Sequence, residues 1–217
     1  MYRTYIFDLD GTLLDTLDDL AAAANYALRQ HGLPEHSRDD IRRFVGNGVR
    51  MLMVRAVPDG EQNPLFNAAL STFRAYYLQH SLDRTAPYPG VSELLGELRR
   101  RGCRVAVVSN KFCAATQELC EHFFPDTVEV AIGENEAEGI RRKPAPDTVV
   151  EALRLLGEDA ATAVYVGDSD VDIDTARAAS LPCISVLWGF RDRQFLTAHG
   201  ATCFASRPEE ILIRFEN

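Results

Sequence analysis

Short apolar runs that stop abruptly at polar or glycine residues recur along the chain. Continuous apolar runs of this length are typical of strands that are buried on both faces of a sheet. The runs cover residues 5–7, 105–108, 163–166, 183–186 and, more weakly, 202–205. They predict the strands of one sheet.

Helical patterns lie between these runs. Residues 91–101 and 146–156 carry apolar side chains at i, i+3, i+4 and i+7, and each pattern stops at a glycine, Gly102 or Gly157. Similar patterns cover residues 114–124 and 172–179. Alternating strands and helices predict an α/β fold with a Rossmann-like parallel sheet and helices on both faces.

Residues 16–85 break this alternation, because only helical patterns are found there. Thr16 and Ser37 are candidate N-caps, and Pro64 suits the first position of a helix. The patterns run over residues 16–32, 37–46, 49–57 and 64–80. We therefore expect a core made of residues 1–15 and 86–217, and an inserted α-helical cap made of residues 16–85.

Composition and charge narrow the class of protein. The 217 residues can bury a core without disulfides, and the net charge of −9 argues against nucleic-acid and membrane partners. No apolar run approaches the roughly 18 residues that span a bilayer. The five cysteines form no C-x-x-C pair. These features predict a reduced, cytoplasmic protein, which we expect to be a monomer or a homodimer.

Polar residues follow three of the predicted strands, where ligands bind in open α/β sheets. The residues in question are Asp8, Asp10, Gly11 and Thr12 after the first strand, Ser109 and Asn110 after the second, and Asp168 and Asp172 after the third, with Lys143 shortly before the third strand. Any one of them alone is more often a helix cap or a solvated residue. Their convergence on one edge of the sheet favours a site.

The acids in this set suit a hard cation. Asp8 and Asp10 are two residues apart, so in a strand their carboxylates point the same way. Close like charges need a neutralising cation, and together with Asp168 they offer only oxygen ligands, which favours Mg²⁺. An aspartate can also attack phosphorus as a nucleophile. The groups at the same edge that could donate hydrogen bonds to a phosphate are Ser109, Lys143 and the backbone N–H groups of Asp10, Gly11 and Asn110.

Four segments, in order, resemble the signatures of the haloacid dehalogenase superfamily. They are residues 8–15 (DLDGTLLD), Ser109-Asn110, residues 143–146 (KPAP) and Gly167-Asp168-Ser169-x-x-Asp172. The helical insertion resembles the cap of the phosphoglycolate phosphatase-like group, and residues 46–50 (GNGVR) resemble its cap loop.

The resemblance implies a role for each matching residue. Asp8 would be the nucleophile and a Mg²⁺ ligand, and Asp10 the general acid/base, with its backbone carbonyl toward the metal. Asp168 would ligate the metal and Asp172 support it. Phosphate or substrate would be bound by Gly11, Thr12, Ser109, Asn110 and Lys143, and by Gly48 and Arg50 from the cap. Trp188 and Arg191 could line the pocket or merely pack at a strand end.

The expected function is therefore Mg²⁺-dependent hydrolysis of a small phosphate ester, 2-phosphoglycolate, through an aspartyl-phosphate. Two alternatives stay open: a phosphosugar mutase of the β-phosphoglucomutase type, and a pyrophosphatase or nucleotidase of the same superfamily. Such mutases often carry Val where Thr12 stands. A haloacid dehalogenase lacks the second acid, so Asp10 argues against one. A phospho-receiver signalling module is about half this length, so the length argues against one. A non-catalytic relative would have lost one of the four signatures, whereas this chain has all four.

Overall fold

The structure, a computed structural model, describes residues 2–135 and 139–213. It divides the chain into two compact units, residues 1–14 with 87–217 and residues 15–86. Each of the two boundaries between these units lies one residue from the boundary that the sequence predicts. Within the described ranges, no helix has the length and apolar character that crossing a bilayer requires.

The first unit is built on a parallel sheet, as predicted, and this sheet has six strands in the described residues. Its strands are β1 (Thr4–Phe7), β4 (Arg104–Phe112), β5 (Val130–Glu134), β6 (Ala163–Gly167), β7 (Cys183–Val186) and β8 (Phe204–Ala205). Two further short strands, β2 (Leu14–Asp15) and β3 (Ala86–Pro87), pair where the chain passes between the units. The sheet order β5-β4-β1-β6-β7-β8 reverses direction around β1, so the ends of β4, β1 and β6 form the switch point where ligands bind.

Helices cover both faces of this sheet. Numbered after the four helices of the second unit, they are α5 (Val91–Arg100), α6 (Cys113–Phe123), α7 (Asp147–Leu156), α8 (Asp170–Ala178), α9 (Arg193–Ala198) and α10 (Glu209–Ile213). Successive residues of β1 point to opposite faces: Tyr5 and Phe7 pack in the cluster that contains Leu95 of α5, and Ile6 packs in the cluster that contains Val149 of α7. The predicted two-sided core is therefore confirmed.

Two strands differ from the sequence prediction. β5 was not predicted, because its apolar stretch is only residues 130–132 and it lies at the edge of the sheet. β4 was expected to end at Val108, but it continues to Phe112, and its pairing with β5 shifts register between Val108 and Phe112. Such irregularities redirect side chains, and this one contains residues 109–111.

The second unit is helical, with α1 (Leu17–Gln30), α2 (Arg38–Phe44), α3 (Gly48–Ala56) and α4 (Phe66–His80). The Ser37 cap is confirmed, because its side chain forms a capping box with Asp40. Thr16 precedes α1 but makes no capping bond with its side chain, and Asp15 Oδ1 accepts the Leu17 N–H instead. The buried Asp19 accepts the Thr85 N–H and hydroxyl, which ties α1 to the end of the unit.

Candidate active site

A tight turn follows β1 and presents the first acids. The N–H groups of residues 12–14 all donate to the Leu9 carbonyl oxygen, at 3.0–3.3 Å. Gly11 has φ +87°, and a Cβ there would lie 2.5 Å from Asp168 Oδ2. Both the backbone angle and the close approach therefore require glycine at this position.

This turn corrects two expectations. β1 ends at Phe7, so strand alternation does not align the Asp8 and Asp10 carboxylates, and these have different partners. The Gly11 N–H donates to Leu14 O at 2.9 Å and the Thr12 N–H to Leu9 O, so both are engaged inside the turn rather than directed at a phosphate. Gly11 and Thr12 shape the loop.

Asp8, Asp168 and Asp172 form a buried cluster in which one oxygen of each lies within 4.8 Å of the others. Burial and the nearby charge of Asp172 raise the pKa of Asp8 well above its usual value, while Lys143 opposes this rise. The same two causes raise the pKa of Asp168 to about 7. The Asp10 carboxylate, which was also expected to ligate metal, is outside this cluster.

Lys143 lies at the centre of the cluster. Its Nζ is 2.7 Å from Asp8 Oδ1, 2.8 Å from Asp172 Oδ1 and 3.0 Å from the Tyr165 hydroxyl. Burial lowers the pKa of Lys143, but the two carboxylates outweigh burial and raise it. Tyr165, which the sequence reading treated only as a strand residue, also donates to Asp172 Oδ1 at 2.9 Å.

The irregular part of β4 holds Ser109, Asn110 and Lys111. The Asn110 amide accepts the Lys143 N–H at 2.8 Å and donates to the Lys143 carbonyl at 3.1 Å. The buried Ser109 hydroxyl accepts the Lys111 N–H at 3.2 Å. Asn110 therefore positions the backbone of Lys143 through its side chain, where only its backbone N–H had been considered.

Lys111 is a functional candidate that the sequence reading missed. Its side chain is 2% exposed, and its Nζ lies 3.1 Å from Asp10 Oδ1. One signal could have found it: of the 23 basic residues, only Lys111 and Lys143 are lysine and 21 are arginine. Both lysines are buried beside the expected catalytic acids. In a chain that otherwise uses arginine, the compact ammonium is the distinguishing chemistry.

Asp172 is the third residue of α8 and the partner of Ser169 in a capping box. Its Oδ2 accepts the N–H groups of Asp168 and Ser169 and the Ser169 hydroxyl, at 3.2, 3.0 and 2.6 Å. Its Oδ1 accepts from Lys143 and Tyr165. Since donors occupy both oxygens, Asp172 is arranged to support the cluster.

The segment after β7 closes against the first loop. The Trp188 indole N–H donates to the Thr12 carbonyl at 3.0 Å, and the Phe190 N–H donates to Asp168 Oδ2 at 2.6 Å. A Cβ on Gly189 would lie 2.3 Å from Gly11 O. Trp188 therefore braces the loop, and Arg191 acts on Asp168 electrostatically by lowering its pKa.

The residues of the cluster fit a divalent cation. They offer only carboxylate oxygens, and the pKa values of Asp8 and Asp168 are raised partly by neighbouring negative charge, which a cation would offset. The Phe190 N–H donates to Asp168 Oδ2, and the Thr12 hydroxyl lies 3.5 Å from Asp168 Oδ1. Hard oxygen donors of this kind suit Mg²⁺.

Gly48 and Arg50 lie in the second unit. Gly48 is the first residue of α3 and has φ +81°. The Arg50 guanidinium pairs with Glu61 at 2.8 Å and lies 5.2 Å from the centre of the Phe66 ring. Arg50 thus has partners inside its own unit, and its expected contact with substrate stays a prediction.

Comparison with known proteins identifies the family. The model of haloacid dehalogenase-like hydrolases matches residues 5–186. The chain belongs to this family. Among relatives of this haloacid dehalogenase-like hydrolase, a phosphoglycolate phosphatase of Aquifex aeolicus is 32% identical over 216 residues, covering 99% of this chain and 97% of the relative. One from Mesorhizobium japonicum is 37% identical, covering 87% and 84%.

Solved structures of the family agree. A crystal structure from Lactobacillus delbrueckii subsp. bulgaricus, named "putative phosphoglycolate phosphatase", superposes with a TM-score of 0.92. It is 39% identical in sequence and covers 97% of this chain and 96% of its own. The predicted superfamily is therefore confirmed, and the chain is a hydrolase of the phosphatase type.

Proposed function

We propose that this hydrolase is a Mg²⁺-dependent phosphatase that cleaves 2-phosphoglycolate through an aspartyl-phosphate on Asp8. The observation that carries the proposal is the position of Asp8, whose Oδ1 is held by Lys143 at 2.7 Å inside a cluster of oxygen ligands. The lysine fixes the carboxylate and offsets its charge as an anionic phosphate approaches.

In the first half-reaction, the second oxygen of Asp8 attacks phosphorus. The new Asp8–phosphorus bond forms as the bond to the ester oxygen breaks, and Asp10 gives its proton to that oxygen. In the second half-reaction, water attacks the aspartyl-phosphate, Asp10 takes a proton from the water, and inorganic phosphate leaves with Asp8 restored.

The remaining core residues support these steps. Ser109 and Lys143 would hold the transferred phosphate, and Asn110 fixes Lys143. Mg²⁺, when bound by Asp8, Asp168 and the Asp10 carbonyl, with Asp172 behind them, supplies positive charge to the phosphoryl oxygens. Residues 15–86 are proposed as the cap, with Gly48 and Arg50 on its substrate side.

The choice of substrate rests on the relatives named phosphoglycolate phosphatase, at 32% and 37% identity. Thr12, in place of the Val that is common in phosphosugar mutases, favours hydrolysis over phosphoryl transfer between sugars. Pyrophosphate, nucleotides and sugar phosphates are the competing substrates, since fold alone does not determine the substrate.

The test is a hydrolysis assay with 2-phosphoglycolate, pyrophosphate, a nucleoside monophosphate, a hexose phosphate and p-nitrophenyl phosphate. With Mg²⁺ we expect the highest kcat/KM for 2-phosphoglycolate. In excess chelator we expect no hydrolysis of any of these esters. Asp8→Asn should lose about 10³-fold or more in kcat, as nucleophile removal does elsewhere. Asp170→Asn, a change at a nearby acid outside the cluster, is the matched control.

Two outcomes would contradict the proposal. Wild-type turnover in a folded Asp8→Asn protein would exclude the aspartyl-phosphate, and full activity in chelator would exclude the metal. Turnover only in the presence of a sugar bisphosphate would instead identify the mutase.

A further inference from the structure

The second buried lysine of the core lies beside the proposed general acid. Lys111 Nζ is 3.1 Å from Asp10 Oδ1, whereas Lys143 Nζ is 2.7 Å from Oδ1 of Asp8, the proposed nucleophile. The Asp10 side chain is 15% exposed and that of Lys111 is 2% exposed. A buried ammonium is unfavourable unless anions meet it, so its retention at this place needs a reason.

The scarcity of lysine in the chain is a second observation. Arginine accounts for 21 of the 23 basic residues, and lysine occurs only at positions 111 and 143. Lys143 uses its compact ammonium to reach two carboxylates and a hydroxyl at once. The use of lysine at position 111 points to the same requirement, a point charge in a confined polar space.

The geometry places this charge near the leaving group. To receive a proton, the ester oxygen must come within about 2.6–3.2 Å of the Asp10 carboxylate. Lys111 Nζ lies 3.1 Å from Asp10 Oδ1, so an ester oxygen that is hydrogen-bonded to Oδ1 lies within about 6 Å of the ammonium. In 2-phosphoglycolate the carboxylate carbon is two bonds from the ester oxygen, a length short enough for one of its oxygens to reach the Lys111 ammonium.

We propose that Lys111 binds the carboxylate of the substrate and makes the core select phosphate monoesters with an anionic group two bonds from the ester oxygen. This inference rests on the proposed function. It places part of the substrate selection in the unit that holds Asp8 and Asp10, because Lys111 belongs to that unit.

The test compares 2-phosphoglycolate with 2-hydroxyethyl phosphate, in which a neutral CH₂OH replaces the carboxylate. In Lys111→Met, kcat/KM for 2-phosphoglycolate should fall about 10- to 100-fold more than for the neutral ester, the usual range for losing a charged hydrogen-bond partner. Lys111→Arg, which keeps the charge, should retain part of the preference. Arg177→Met, a change at an exposed cation paired with Asp174, is the control.

Equal losses on both esters would overturn the inference, because Lys111 would then only hold Asp10. A wild-type enzyme without preference for the carboxylated ester would overturn it as well. If 2-phosphoglycolate is not hydrolysed while another ester is, the proposed function fails; if it is hydrolysed but Lys111→Met keeps the preference, only the present inference fails.

Binding can be measured without turnover in the Asp8→Asn background. With Mg²⁺ present, calorimetry should show that adding Lys111→Met weakens binding of 2-phosphoglycolate about 10-fold or more and leaves binding of inorganic phosphate nearly unchanged. Equal weakening of both ligands would overturn the inference. Thermal melting of each variant establishes that the compared proteins are folded.

Discussion

Replacing Lys143 with methionine should destabilise the metal-free protein strongly. Met is of similar length but carries no charge, so Asp8 and Asp172 would lose the ammonium that lies 2.7 and 2.8 Å from them. Removing one partner from a buried ion pair typically costs about 3–5 kcal/mol. In a domain of this size, that corresponds to a fall of about 6–20 °C in Tm.

The loss should depend on pH in a definite direction. The pKa of Asp8 is raised in the folded protein by burial and by Asp172, so the ionised carboxylate is disfavoured there. A raised folded-state pKa contributes stability at low pH that is lost as the pH rises through it. Without Lys143 this pKa rises further, so the Tm difference between variant and wild type should be larger at pH 8 than at pH 5.

The assay is thermal melting in chelator at both pH values, repeated with saturating Mg²⁺. Metal bound to the folded state should return part of the lost stability, about 2.7 kcal/mol at 100 times the dissociation constant. Arg154→Met is the control, because Arg154 pairs with Glu151 at 2.7 Å on the surface, where such pairs contribute little. If Lys143→Met costs no more than this control at pH 8, the lysine does not compensate buried charge.

Two further predictions concern the acid and the cap. Asp10→Asn should slow 2-phosphoglycolate more than p-nitrophenyl phosphate, because an aryl leaving group needs less proton donation; equal losses in kcat would argue against general acid catalysis. Arg50→Ala should raise KM for 2-phosphoglycolate about two- to fivefold, with little effect on the aryl ester, while Glu61→Ala, which removes the partner 2.8 Å away, should not raise it. Unchanged KM values in Arg50→Ala would remove this residue from substrate binding.

The sheet could be predicted because burial on both faces imposes continuous apolar runs. Residues 5–7 and 163–166 show this pattern and form β1 and β6, which pair in the centre of the sheet. β5 could not be predicted in this way, because an edge strand needs only a short apolar stretch. Its Gly133 packs against the backbone of Lys111 and Cys113, and a contact between residues so far apart in sequence cannot be predicted from a local pattern. Register shifts such as that between Val108 and Phe112 are likewise tertiary.

The site residues that directly follow a strand could be predicted from the sequence. Those that reach the site from inside a strand or through their backbone could not. Asp8, Lys143, Asp168 and Asp172 come together as their places in the α/β pattern indicated. Tyr165 is interior to a strand, so periodicity assigns it to the core and cannot show that its hydroxyl meets Lys143. Phe190 contacts Asp168 through its backbone N–H, and nearly every residue type has this group, so the sequence cannot predict the contact.

The four aspartates of the site differ most in how many donors they already have, and this difference separates their roles. Asp172 is saturated, since five hydrogen bonds end on its two oxygens, so it holds Lys143 and the start of α8 in place. Asp8 and Asp168 have fewer donors and raised pKa values, which is the condition under which a carboxylate gains most from a cation or from forming a new bond.

Asp10 differs from the other three because it lies outside the cluster and pairs with Lys111. A carboxylate placed there can exchange protons with a substrate without competing for the metal. Among the described residues of the core, the buried Lys143 thus pairs with the proposed nucleophile Asp8 and with Asp172, and the buried Lys111 pairs with the proposed general acid Asp10. The spacing D-x-D alone could not reveal these separate pairings, because it predicted that both carboxylates point the same way.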